Sequence, residues 1–175
     1  DNSYENKLSR FDDLLYQNIP KIAKKLKTLN IQTIDYAYRW FNIMFSQEHQ
    51  LPILLPLWDS MLAHLNDLAL YEYCVGVSRI KTVQSELEGI PLRSNHPQSL
   101  SDSPLRGIKR TVNVENPCVL GTILNILCNI RIDNIYELIK QANKIYLKAS
   151  ETFGDKKRSP GFMKNLFSRN GSAPH

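Results

Sequence analysis

The 175-residue, 20.2 kDa chain carries 22 Lys and Arg against 17 Asp and Glu, a net charge of +5, and 42% of its residues are hydrophobic. That composition supports a packed core and excludes disorder over most of the length. The positive excess lies in residues 92–114 and 151–175, while residues 1–91 hold 11 acids and 9 bases, so the folded part has no basic face of the kind nucleic acid needs.

Apolar residues recur at helical rather than strand spacing. Leu8, Phe11, Leu14 and Leu15 form one stripe, and Ile19, Ile22, Ala23, Leu26 and Leu29 form a second behind Pro20. Pro20 suits a first turn, where its missing N–H costs nothing. Lys21, Lys24, Lys25 and Lys27 occupy the other face. A third helix is expected from Thr33, read as its N-cap with Asp35 in the first turn, through Tyr36, Ala37, Trp40, Phe41, Met44 and Phe45. Tyr38 and Ile43 make it apolar nearly all round, so it is expected at the centre of the bundle. A fourth helix starts near Pro52 with Leu54, Leu55, Trp58, Met61, Leu62 and Leu65, and a fifth runs from about Asp67 to Glu86.

Gly89, Pro91, Pro97, Pro104, Gly107 and Pro117 with four serines then mark residues 90–116 as a long mobile insertion. Helical spacing resumes at Val119, Leu120, Ile123, Leu124 and Leu127, and again at Ile135, Leu138, Ile139, Ala142 and Ile145, behind Asp133 as a cap. The expectation is an all-α bundle of about six or seven helices over residues 1–150, with a basic tail at 151–175. Within that tail, Phe162, Met163, Leu166 and Phe167 alternate with Lys156, Lys157, Arg158, Lys164 and Arg169. Two readings are open there: a disordered tail, or a short helix resting on an anionic membrane surface.

Cys74, Cys118 and Cys128 include no CxxC, and His49, His64, His96 and His175 form no ligand pair, which argues against structural metal and a disulfide framework and points to a reducing compartment. The apolar run Cys118 to Ile130 is shorter than the roughly 20 residues of a spanning helix. No signal peptide is evident, and a first residue other than Met suggests a piece of a longer chain. Phosphate loops, nucleophile elbows and HExxH are all missing. Asp12 and Asp13 are adjacent on a helix and diverge, and His64 with Cys74 lacks a third group to orient the ring. Two tryptophans, Trp40 beside Arg39 and Trp58 beside Asp59, are expected in one core. Arg39 then needs Glu48 or Asp59 as an internal partner, or reaches a phosphate on a binding partner.

The run Tyr38-Arg39-Trp40, Phe45-Ser46-Gln47-Glu48, Leu51-Pro52 and Leu57-Trp58-Asp59 resembles the C-terminal half of the TBC domain, the all-helical catalytic domain of Rab GTPase-activating proteins. His49 stands where that family has an aromatic. The likeness covers residues 8–66 well and 118–148 weakly, and residues 67–117 match nothing in it. It implies a Rab-family GTPase as partner, a regulator of GTP hydrolysis in vesicle trafficking rather than an enzyme, and a cytoplasmic site peripheral to endomembranes. GTP and Mg²⁺ would be bound by the partner, with no cofactor in this chain. Family members supply an Arg from IxxDxxR and a Gln from YxQ to the nucleotide. Neither motif is present: Tyr16-Gln17 lacks the spacer, and Asp35 is not followed three residues on by Arg. The resemblance therefore assigns no catalytic residue. It gives Arg39, Trp40, Gln47, Glu48, Leu57, Trp58 and Asp59 a structural role, and leaves a finger-less binding module as the alternative.

Overall fold

The computed structural model describes residues 2–92 and 117–154, with side chains from Leu8 to Leu92 and from Cys118 to Glu151. Among them the architecture is all-α. Eight helices follow in order: α1 (Asn2–Asn18), α2 (Pro20–Thr28), α3 (Thr33–Asn42), α4 (Leu51–Leu62), α5 (Leu68–Thr82), α6 (Gln84–Gly89), α7 (Pro117–Cys128) and α8 (Ile135–Gly154). A single 3₁₀ turn, Leu65–Asp67, links α4 to α5. The expected fifth helix is two, because the chain bends at Val83. The last helix runs past residue 150 to Gly154.

The central helix is α5, not α3. Tyr71 and every residue from Tyr73 to Ile80 are buried, and α5 packs against α1, α3, α4, α6 and α8. A helix buried on all sides is expected to lack a polar stripe, and α5 lacks one. Helix α3 is instead amphipathic: Tyr36, Ala37 and Trp40 face in, while Ile34 and Tyr38 remain 45% and 48% exposed. Its apolar outer face misled the periodicity.

Two caps also differ from expectation. The N-cap of α3 is Gln32, whose backbone N–H donates to Asp35 Oδ2 at 2.8 Å. Thr33, inside the first turn, donates its hydroxyl to Asp12 Oδ1 and ties α3 to α1. Before α8 the cap is Asn134, whose Oδ1 accepts from the backbone N–H groups of Tyr136 and Glu137, rather than Asp133. Lys25 of α2 caps the end of α6, donating to the carbonyls of Leu87 in its last turn and of Ile90 just beyond it. The segments expected to be mobile lie outside the described residues from 93 to 116 and from 155 onward.

Helix α5 comes close to its neighbours at Gly76. A Cβ there would stand 2.9 Å from Phe11 Cε2 and 3.4 Å from the Phe41 ring. Those two rings and Tyr73 pack edge to face, with centroids 5.1 to 6.2 Å apart, so none can retreat cheaply. Gly76→Ala should therefore destabilise by about 1–3 kcal/mol through overpacking, despite the better helix propensity of Ala. Gly121 in α7 has open space around it, and Gly121→Ala should raise stability by about 0.5–1 kcal/mol. Chemical denaturation of both variants checks the contrast, and a Gly76→Ala protein as stable as the parent contradicts the packing.

Candidate functional site

Helix α3 ends in a turn that backbone geometry makes unusual. Met44 and Phe45 both adopt left-handed dihedrals, at φ 49° and 60°. Non-glycine residues pay about 1–2 kcal/mol each for that conformation. Two contacts hold them. Phe45 is fully buried and stacks on Trp40, with centroids 6.1 Å apart, and Phe45 N–H donates to Trp40 O at 2.9 Å. From α4, Trp58 Nε1 donates to Met44 O at 2.8 Å. The reversal turns the following residues back toward the core and delivers Glu48.

Glu48 is the one carboxylate that meets two guanidiniums among the described residues. Arg79 Nη2 lies 3.2 Å from Glu48 Oε2 and Arg39 Nη2 lies 3.3 Å from Glu48 Oε1. Only the first is also a hydrogen bond. The side chain of Arg79 has no exposed surface, that of Glu48 has 4%, and that of Arg39 has 51%. Arg79 Nη2 also donates to Ile130 O at 3.3 Å. The Arg79 guanidinium sits 4.7 Å from the Trp40 ring centre and 5.7 Å from that of Phe45, a cation–π placement that offsets part of its lost hydration. Its Nε and Nη1, with Trp40 Nε1 and Ser78 Oγ, find no hydrogen-bond partner among the described residues. Burial pushes Arg79 down to about 10, Glu48 opposes that shift and Arg39 adds to it. Arg79 therefore stays charged at neutral pH.

The structure thus brings Arg39, Trp40 and Glu48 of the expected motif into one cluster and adds Trp58 through Met44. Leu57 is fully buried in the core, whereas Gln47 and Asp59 face solvent. Trp58 is half-buried at the core's edge rather than enclosed. Arg39 has Glu48 as its ion-pair partner, not Asp59, and is not itself the buried charge. That role falls to Arg79, to which sequence reasoning gave no structural part; the signal was a lone charge inside the run Tyr73 to Ile80.

Beside Arg39 an open groove of about 640 Å³ runs between α3 and the end of α7, with Ile34, Tyr38 and Cys128 on its walls. Among the described residues no activated nucleophile lines it. Burial pushes the Cys128 thiol up, and Cys74, on α5, is pushed up to about 12 by the same cause, so both are poor nucleophiles. Among the described residues no three His, Cys, Asp or Glu side chains are grouped to hold a metal ion, and no helix is long and apolar enough to cross a membrane. The tail residues Lys156, Lys157, Arg158, Phe162 and Phe167 lie outside the described set.

Residues 1–87 match the family described as the Rab-GTPase-TBC domain. A TBC domain-containing protein of Schizosaccharomyces pombe is 34% identical over 56 residues, which is 32% of this chain and 9% of that protein. The chain therefore spans less than a tenth of the length of the relative it matches. No solved structure matches.

His49 supplies the electrostatic test of the site. Burial, and then the nearby Arg79 charge, lowers it from 6.5 to about 4, so folding selects the neutral ring. The unfolded chain takes up the proton first as pH falls, and the stability this residue contributes is complete above about pH 6.5 and is lost toward pH 4. His49→Gln should flatten the fall in stability between those pH values, as measured by urea midpoints. An unchanged slope would place His49 in water, away from Arg79.

Proposed function

Because residues 1–87 are a Rab-GTPase-TBC domain segment, we propose that the chain is the framework half of a GTPase-activating regulator of a Rab-class small GTPase. Such a regulator works where Rab proteins act, on the cytoplasmic face of endomembranes during vesicle traffic. The observation that supports a framework role is the use already made of the buried charge. Arg79 is enclosed and committed to Glu48 and Ile130 O, and Arg39 is paired to the same carboxylate.

Hydrolysis of GTP needs a cation against the charge developing on the transferred phosphoryl and a group that orients the attacking water. The IxxDxxR and YxQ motifs that carry those groups in the resembling family do not occur in this sequence. Arg39, Trp40, Glu48, Leu57 and Trp58 hold the lobe in shape, and GTP and Mg²⁺ belong to the partner. The same absence favours a second reading, a helical module that recognises its partner without accelerating hydrolysis.

Single-turnover GTP hydrolysis by a panel of Rab proteins separates these readings. Residues 1–175 alone should leave the rate unchanged. A parent protein carrying both motifs should accelerate it by about 10³- to 10⁵-fold, the range an arginine finger contributes. Strong stimulation by residues 1–175 would overturn the framework role and make Arg39 the first residue to substitute. An inactive parent with both motifs intact would favour the recognition module.

A further inference from the structure

A second concavity opens between α1, α2 and the start of α3, and it shares Ile34 and Tyr36 with the groove beside Arg39. Its volume is about 670 Å³, within the range of natural ligand sites. The chain builds it from two turns. Helices α1 and α2 are joined by Ile19 alone, so they return side by side. Helix α2 ends at Thr28, Asn30 just beyond it takes a left-handed φ of 54°, and Ile31 N–H closes the end on Leu26 O at 2.9 Å. The reversal sends Ile31 into the core and starts α3 across the gap. Leu15, Leu26, Ile31 and Tyr36 make a buried apolar floor.

Polar groups converge on one wall. Asp12 and Asp13 of α1 both line the groove, with Lys27 of α2 the one basic side chain across from them. Asp12 is fixed in place by the Thr33 hydroxyl, which in turn lies 3.3 Å from the Tyr36 hydroxyl. At the rim Tyr16 stays 53% exposed and Ile34 45%. Burial of Asp12, with Asp13 adding, outweighs the Thr33 bond and raises its carboxyl above the ordinary value.

An anionic occupant would face two carboxylates, and a purely aliphatic one would strip water from Asp12 without replacing it. A cation complements that charge, and an exposed tyrosine ring at the mouth suits a planar guanidinium better than a compact ammonium. We propose that this groove is a docking site for a protein partner that inserts an arginine flanked by aliphatic residues, the guanidinium meeting Asp12 with the Asp13 charge adding to the attraction, while the neighbours cover Ile34 and the apolar floor. The proposal is independent of any role in GTP hydrolysis.

The probe is a blocked peptide, acetyl-Leu-Arg-Leu-amide, titrated into the isotope-labelled 175-residue chain by NMR beside its glutamine and lysine analogues. Saturable shifts are expected on residues 12–16 and 32–34, with the arginine peptide about 5-fold or more tighter than the glutamine one, as a charge-assisted bond implies. Added salt should weaken it. Asp12→Asn should abolish the preference, and Lys27→Gln should tighten binding. If Asp12→Asn fails to fold, Asp13→Asn and Tyr16→Ala carry the same reading. Equal affinity for the glutamine peptide, shifts scattered over the surface, or indifference to these variants would overturn the site. Equal affinity for the lysine peptide would overturn the choice of arginine.

Discussion

A guanidinium with no surface in water stands at the middle of this molecule, and one carboxylate holds it there. Burying an unpaired cation costs several kcal/mol, so Arg79 can occupy α5 only if Glu48 arrives beside it. Glu48 arrives because Met44 and Phe45 accept left-handed backbone. They accept it because Trp40, Phe45 and Trp58 lock the turn by stacking and by one hydrogen bond. Ile130, in the turn after α7, contributes its carbonyl to the same guanidinium. The pair thereby joins the end of α3, the centre of α5 and the entry to α8, with α4 bound in through Trp58.

The helical class and most helices were legible in the sequence because apolar spacing of 3.6 residues needs no tertiary knowledge. Errors fell where tertiary contacts outweigh spacing. Helix α3 looked central because Tyr38 and Ile43 add apolar surface on its other sides, yet Tyr38 faces outward and Ile43 is its half-buried C-cap. Thr33 is a good cap by type, but Asp12 on α1 claims its hydroxyl and leaves the capping to Gln32 and Asp35. Gly76 gave no local sign of its role, since only the approach of Phe11 and Phe41 from other helices explains it.

The candidate site was legible in part for the same reason. Arg39, Trp40 and Glu48 lie within ten residues and read as one cluster. Arg79 lies 31 residues beyond Glu48, and no local pattern links them. A single charge in a run of buried apolar residues was nonetheless a signal, because such a run cannot continue through an unpaired guanidinium. The two arginines divide one carboxylate: Arg79 donates to Oε2 from inside, and Arg39 meets Oε1 from the surface as an ion pair without a hydrogen bond, where such a pair is worth about 0–1 kcal/mol.

The dependence of the fold on the buried pair is tested most directly by a double-mutant cycle on Glu48→Gln and Arg79→Met, read by urea denaturation. Arg79→Met leaves the buried Glu48 with only its ion pair to Arg39, and Glu48→Gln alone, which strands the Arg79 guanidinium, should cost about 3–5 kcal/mol. The double variant should recover much of that loss, because no stranded charge remains. The predicted coupling is therefore large, well above the 0.3–0.5 kcal/mol within which independent sites add. Costs that simply add, or a Glu48→Gln protein as stable as the parent, would contradict the account.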